Sequence, residues 1–255
     1  KAEEIADRII PVMHIHDDYV VYSYSDKTRA PAYIAGSCAD IGRRDRAFEL
    51  LDKISRLPKS KSREMITAYA KLREWEKAMS LAKEEDPEFM FIHCSYIAIA
   101  KQAVLSGRKD IAERALDAAI KGIERKDYSS ELYAEWLREI ADIFLSIGKN
   151  DMAVQLLNKA IGHLAEKKNV YLPYHDGLLA DIGISWIKAG DNSKGMRLLH
   201  EAFEDIITME DAFQKSEALS RIAKAYIDNN IPIKEKEREI LKRIVDSCKE
   251  EAHAI

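Results

Sequence analysis

The chain has 255 residues, of which 47% are hydrophobic and 33% charged, with a formal net charge of -4. This is the composition of a folded protein with a densely charged surface, and the sign of the charge gives no general attraction to nucleic acid or to anionic membranes. Only 10 Gly and 6 Pro in this length favour long helices over a turn-rich sheet protein.

Residues 1–9, KAEEIADRI, place Ala2, Ile5, Ala6 and Ile9 at the spacing of a second-helix stripe, the tail of a repeat whose first half is absent from the sequence. Residues 10–25, IPVMHIHDDYVVYSYS, break the helical pattern with Pro11 and a run of β-branched and aromatic residues, which reads as an irregular connection or short hairpin. Residues 1–27 are therefore set apart from a helical repeat domain over 28–255.

The clearest unit is 137–161, LREIADIFLSIGKNDMAVQLLNKAI. Ile140, Ala141, Phe144 and Leu145 form one stripe, Gly148 to Asp151 interrupts it, and Ala153, Leu156, Leu157 and Ala160 form the next. A hairpin of this kind cannot bury both faces alone and needs neighbours stacked on it.

The pattern recurs. The small residue opening each second helix is Ala47, Ala78, Ala112, Ala153 and Gly195, with Glu235 a looser match; the steps are 31, 34, 41, 42 and 40 residues. Five positions earlier stand Gly42, Arg73, Gly107, Gly148, Gly190 and Asn230, where Gly or Asn suits a left-handed helix C-cap and Arg73 is the exception. Eight positions before those come Ile34, Met65, Ile99, Ile140, Ile182 and Ile222, followed by the mostly small Ala35, Ile66, Ala100, Ala141, Gly183 and Ala223. Cys38, Tyr69, Ala103, Phe144, Trp186 and Tyr226 then supply the filling between layers.

Helix-start signals agree with this register: Asp86-Pro87, Pro173 and Pro232 each suit a first turn, and Thr208 to Asp211 approximates a capping box. A charged helix over about 232–252 is expected to close the array. The expected fold is all-α, a right-handed α-solenoid of antiparallel helix hairpins, with about six repeats and a partial N-terminal one.

The residues Ile140, Ala141, Phe144, Gly148, Ala153, Leu157 and Ala160 occupy successive signature places of a tetratricopeptide repeat. Over roughly 28–250 the chain resembles that superfamily, although three steps exceed its usual length of about 34 residues and the closing proline is missing from most units. The excess length implies longer helices or longer turns.

No catalytic motif accompanies the repeats. His14, His16, Asp17 and Asp18 form the best metal-binding or sensor segment, because alternating imidazoles on an extended chain share one side. Two histidines do not complete a tetrahedral site, so no metal and no cofactor is expected. His93-Cys94 and His175-Asp176 are sequence neighbours rather than catalytic pairs, and Glu84 to Asp86 lacks the spaced pattern of a magnesium-diphosphate site. The chain is read as a non-enzyme.

Cys38, Cys94 and Cys248 are odd in number and widely spaced, which indicates neither a disulfide framework nor a zinc cage. No apolar run reaches the roughly 18 residues that span a bilayer, and no secretory leader pattern opens the sequence. A cytoplasmic protein is expected, and abundant Lys, Glu and Ile with scarce Gln lean towards a thermophilic source.

In tetratricopeptide proteins the first helices line a concave surface whose non-core positions set specificity. The resemblance assigns those places to Arg29, Arg63, Lys101, Arg138, Asp142, Asp181, Arg221 and Lys224. Their basic bias implies an acidic or carboxylate-bearing protein or peptide partner in the groove. The lack of aromatic stacking platforms there, with the negative net charge, argues against nucleic acid. An enzyme, or a ligand or metal sensor using His14, His16, Asp17 and Asp18, is the alternative.

Overall fold

The structure is a computed structural model describing residues 24–56, 62–84, 92–124, 129–166, 172–207, 212–228, 230–235 and 238–243. Among these residues the regular structure is helical, with no strand. The expectations for 1–9, for most of 10–25, for Asp86-Pro87 and for Thr208 to Asp211 lie outside the described residues. Tyr24 and Ser25 are already helical, two residues inside the stretch read as a connection.

The chain divides into two compact units, Lys1–Lys126 and Asp127–Ile255. The first contains α1 (Tyr24–Asp40), α2 (Arg44–Ser55), α3 (Arg63–Lys71), α4 (Trp75–Lys83), α5 (Ile92–Leu105) and α6 (Lys109–Ile123). The second contains α7 (Ser130–Ser146), α8 (Asn150–Glu166), α9 (Leu172–Lys188), α10 (Asn192–Ile207) and α11 (Ala212–Asp228). In the first unit α1 packs on α2, α3 on α4 and α5 on α6, while α3 also touches both α1 and α5. In the second, α7 packs on α8, α9 on α10, and α9 also touches α7 and α11.

One turn is built repeatedly. Gly42, Gly107, Gly148 and Gly190 take φ of 80°, 72°, 85° and 96°, and Arg73 and Asn230 take 65° and 51°. At each, the next residue's N–H donates back across six residues: Arg43 to the Cys38 carbonyl at 2.8 Å, Glu74 to Tyr69 at 3.0 Å, Arg108 to Ala103 at 2.8 Å. Lys149 to Phe144 at 2.9 Å, Asp191 to Trp186 at 3.1 Å and Ile231 to Tyr226 at 3.0 Å repeat it. This is a Schellman cap, which satisfies carbonyls that a helix end would otherwise leave unpaired. Arg73, the exception in residue type, obeys the same geometry, so the turn is imposed by the hairpin and not only by glycine.

The residue after the left-handed position then starts the second helix. Its carbonyl accepts from Ala47, Ala78, Ala112, Ala153 and Gly195, the small residues on which the repeats align, at 3.1, 2.9, 3.1, 3.2 and 3.0 Å. All five are buried. Ser62 and Ser129 cap α3 and α7, accepting from Met65 and Leu132 N–H at 3.2 and 3.4 Å.

The uneven repeat lengths go into the helices. The hairpin of α3 and α4 has two helices of 9 residues, whereas α7 and α8 have 17 each. Met65, Ile99, Ile140, Ile182 and Ile222 are buried as their common register requires, and Ile34 is half-exposed. Leu157 is fully buried.

The last register departs from expectation. Residues 231–234 are not helical and Glu235 is exposed, so Pro232 precedes the final helix instead of opening it. The residue before a proline is driven out of the α region, which delays the restart. Arg238 N–H reaches the Lys234 carbonyl at 2.9 Å, and 238–243 is helical with Ile240 buried.

Candidate functional site

The positions assigned to a binding surface fall in both units, and each unit is described separately. In the first, Arg29 on α1, Arg63 at the start of α3 and Lys101 on α5 are all exposed. Arg29 is not an open cation: its Nε donates to Glu64 Oε1 at 3.1 Å, tying α1 to α3. A second tie, Lys71 Nζ to Asp40 Oδ2 at 2.6 Å, joins the far ends of the same two helices.

In the second unit, Arg138, Asp142 and Asp181 are half-buried and Lys224 is exposed; the side chain of Arg221 lies outside the described residues. Arg138 and Asp142 are one turn apart on α7, and Arg138 Nη1 donates to Asp142 Oδ2 at 2.9 Å. The other carboxylate oxygen, Oδ1, accepts from Ser185 Oγ of α9 at 2.6 Å. The Ser185 oxygen also lies 3.2 Å from the Asp181 carbonyl, one turn back on α9. A hydroxyl has one proton, and the shorter, charge-assisted bond to Asp142 takes it.

Three polar residues thus form one connected element across the α7–α9 contact. Asp142 is spent on a guanidinium and a hydroxyl, and Arg138 is neutralised by its own helix. Ser185 was not singled out from sequence, because a serine inside an apolar helix carries no signal until its neighbour is known. The arrangement ties α7 to α9.

A second cluster sits between α8, α9 and α10. Lys194 Nζ stands 3.7 Å from the centroid of the Trp186 ring and donates to Asn158 Oδ1 at 2.7 Å. Burial lowers the Lys194 pKa, with Asp191 acting in the opposite direction. The indole face and the amide oxygen replace part of the water that the ammonium loses.

His93 is fully buried on α5 and its neighbour Cys94 is half-exposed, so the two do not share one environment. His14, His16, Asp17 and Asp18 lie outside the described residues, as do the side chains of His175 and Asp176. Among the described residues no group of three His, Cys, Asp or Glu side chains is placed to hold a metal ion. No helix among them is long and apolar enough to cross a membrane.

These features define an all-α protein built from capped helix hairpins. No family model matches the chain, and no curated protein matches it. Among solved structures, the crystal structure of BtubC (BKLC) from P. vanneervenii is similar at 16% sequence identity and a TM-score of 0.46, over 91% of this chain and 92% of that one.

Proposed function

We propose that the chain is a tetratricopeptide-like protein-interaction module, a right-handed α-solenoid of about six hairpins, which binds an acidic segment of a protein partner and performs no catalysis. The supporting observation is the restatement of one Schellman-capped turn at six places, with Arg29, Arg63, Lys101 and Lys224 exposed on first helices. Hairpins stacked within a unit bury their apolar faces and leave a polar wall on that unit, a form that suits recognition of a peptide segment. Guanidinium and ammonium groups on that wall match carboxylates.

The paired side chains refine which residues can act. Arg63 and Lys224 are exposed, whereas Arg29 and Arg138 are engaged with Glu64 and Asp142. Arg63 and Lys224 are therefore the candidates to meet a partner's carboxylates, each within its own unit.

The test is a pull-down from the native host with the full chain as bait, followed by titration of the recovered partner against Arg63→Glu and Lys224→Glu. Each reversal should weaken binding about tenfold or more, since it replaces an attraction by a repulsion, with little change in thermal midpoint. A partner that binds both variants as tightly as the parent places its surface elsewhere.

A further inference from the structure

The turns of the first unit form a surface that the sequence, read linearly, does not suggest. Because α1, α3 and α5 pack successively on one another, their C-terminal turns share one edge. Asp40 at the end of α1 reaches Lys71 at the end of α3, and Arg44 comes within 4.0 Å of Glu74. Glu76 then accepts from both terminal nitrogens of Arg114 on α6, at 2.8 and 3.2 Å. The three hairpin tips are thus neighbours.

Over 40–46, 71–77 and 105–110 the tips carry eight Lys or Arg against five Asp or Glu, a local excess opposite in sign to the whole chain. Arg43, Arg44, Arg73, Arg108 and Lys109 are exposed there. Arg44 faces Glu74 at the limit of an ion pair, Arg108 is held by Asp110, with Nε to Oδ1 at 2.9 Å and Nη2 to Oδ2 at 2.6 Å, and Arg43 and Lys109 also interact with neighbouring groups. Arg73 occupies the middle tip at φ 65°, a backbone position that the glycines of the flanking tips adopt without cost. A bulky cation kept where glycine is the more stable choice points to a use for its side chain.

Two large aliphatic side chains accompany the cations: Ile41 is 70% and Leu105 80% exposed. They sit on the first and third tips with the Arg73 tip between them, so they do not merge into the continuous apolar centre on which a protein hot spot relies. Separate aliphatic points set among cationic heads match a lipid interface, where each side chain enters on its own while the cations meet phosphates.

We propose that this edge of the first unit is a peripheral docking surface for an anionic phospholipid bilayer. The net charge of the chain opposes such binding at long range, and the fold overcomes it locally by gathering three basic tips. Asp45, Glu74 and Asp110 lie in the same edge and limit the affinity, so attachment is weak and reversible.

The experiment is co-sedimentation of the full chain with vesicles of phosphatidylcholine alone and of phosphatidylcholine with phosphatidylserine, at low and high salt. The parent should sediment with the anionic vesicles only, and high salt should release it. Arg73→Gly should lower the partition about fivefold, the worth of one basic residue at such a surface, while raising the thermal midpoint. Ile41→Ser and Leu105→Ser should each lower it with the charge unchanged, and Lys121→Gln, in the last turn of α6 away from the tips, should leave it alone. Absence of sedimentation, equal binding to neutral vesicles, or an Arg73→Gly variant that binds like the parent overturns the proposal. If a hexaglutamate peptide binds the parent, is lost in Arg73→Gly, and no vesicle sediments the protein, the edge serves an acidic protein segment and the lipid assignment falls.

Discussion

Gly183 of α9 and Gly195 of α10 meet backbone to backbone: a Cβ on Gly195 would lie 2.5 Å from both the Gly183 carbonyl oxygen and Ile187 Cγ1. A Cβ on Gly183 would in turn stand 2.9 Å from the Gly195 carbonyl oxygen. The four preceding hairpins place Ala or Ile opposite Ala at these two register positions, whereas this pair of helices approaches more closely than a side chain permits.

Two opposed effects decide the outcome of Gly195→Ala. Helix propensity favours alanine by about 1 kcal/mol, whereas forcing a methyl into backbone costs about 1–3 kcal/mol or more. The overlap is with backbone, which cannot swing away, so sterics win and the variant is less stable. Gly162→Ala on α8 is the control, because nothing lies within 4 Å of its Cβ and its φ is ordinary. It should gain about 0.5–1 kcal/mol, and chemical denaturation of the two variants should show opposite signs.

The left-handed turns give a second pair of opposite signs. Arg73→Gly should stabilise the protein by about 0.5–1 kcal/mol, since arginine at φ 65° bears a clash that glycine lacks. Gly148→Ala, at φ 85°, should destabilise by about 1–2 kcal/mol although no neighbouring atom is in the way. Thermal midpoints that move in the same direction for both would refute the shared turn geometry.

Leu157 on α8 is fully buried, and Leu157→Ala should cost about 2–5 kcal/mol in urea unfolding. A loss below about 0.5 kcal/mol, the scatter of surface changes, would mean that the register is wrong.

The Asp142 carboxylate joins α7 to α9 through Arg138 and Ser185. Ser185→Ala should cost about 1–2 kcal/mol, the loss of a buried charge-assisted bond. Asp142→Asn should cost a similar amount by leaving Arg138 without its counter-charge, discounted because both groups keep some water. The double variant should lose clearly less than the sum, since both single changes disrupt the same bond. Additive losses would show that the two residues act independently.

Acid should act on the outer ion pairs of the first unit. Glu49 is held at about 2 by hydrogen bonds from Lys53 and then Arg46, and Asp110 at about 2 by its bonds from Arg108. Depressed carboxyl values mean that the native state favours the ionised form. The contribution is full above the ordinary carboxylate range and is lost as pH falls through that range towards 2. Both groups are exposed, so the expected loss is small; carboxyl NMR titration should place both midpoints well below those of Glu49 and Asp110 in short peptides.

The sequence by itself determined the helical class and the six turn positions, because those depend on local spacing. A stripe of apolar residues at helical period and a glycine in the C-cap are short-range signals, legible at Ile140, Phe144 and Gly148 without any partner. Even Arg73 was located by register, although its residue type argued against the turn. Pro232 was misplaced by a few residues because a proline fits both the first turn of a helix and the extended segment before one.

The tertiary structure alone decided which charges are spent. Arg138 and Asp142 look like two available groove residues until the packing of α9 brings Ser185 to the carboxylate, 43 residues away in sequence. Arg29 is likewise engaged only because α1 lies against Glu64 of α3. The Gly183–Gly195 contact and the gathering of three basic tips on one edge have the same origin. Helix periodicity assigns a residue to a face, but which neighbour meets that face, and how closely, follows from the packing of helices distant along the chain.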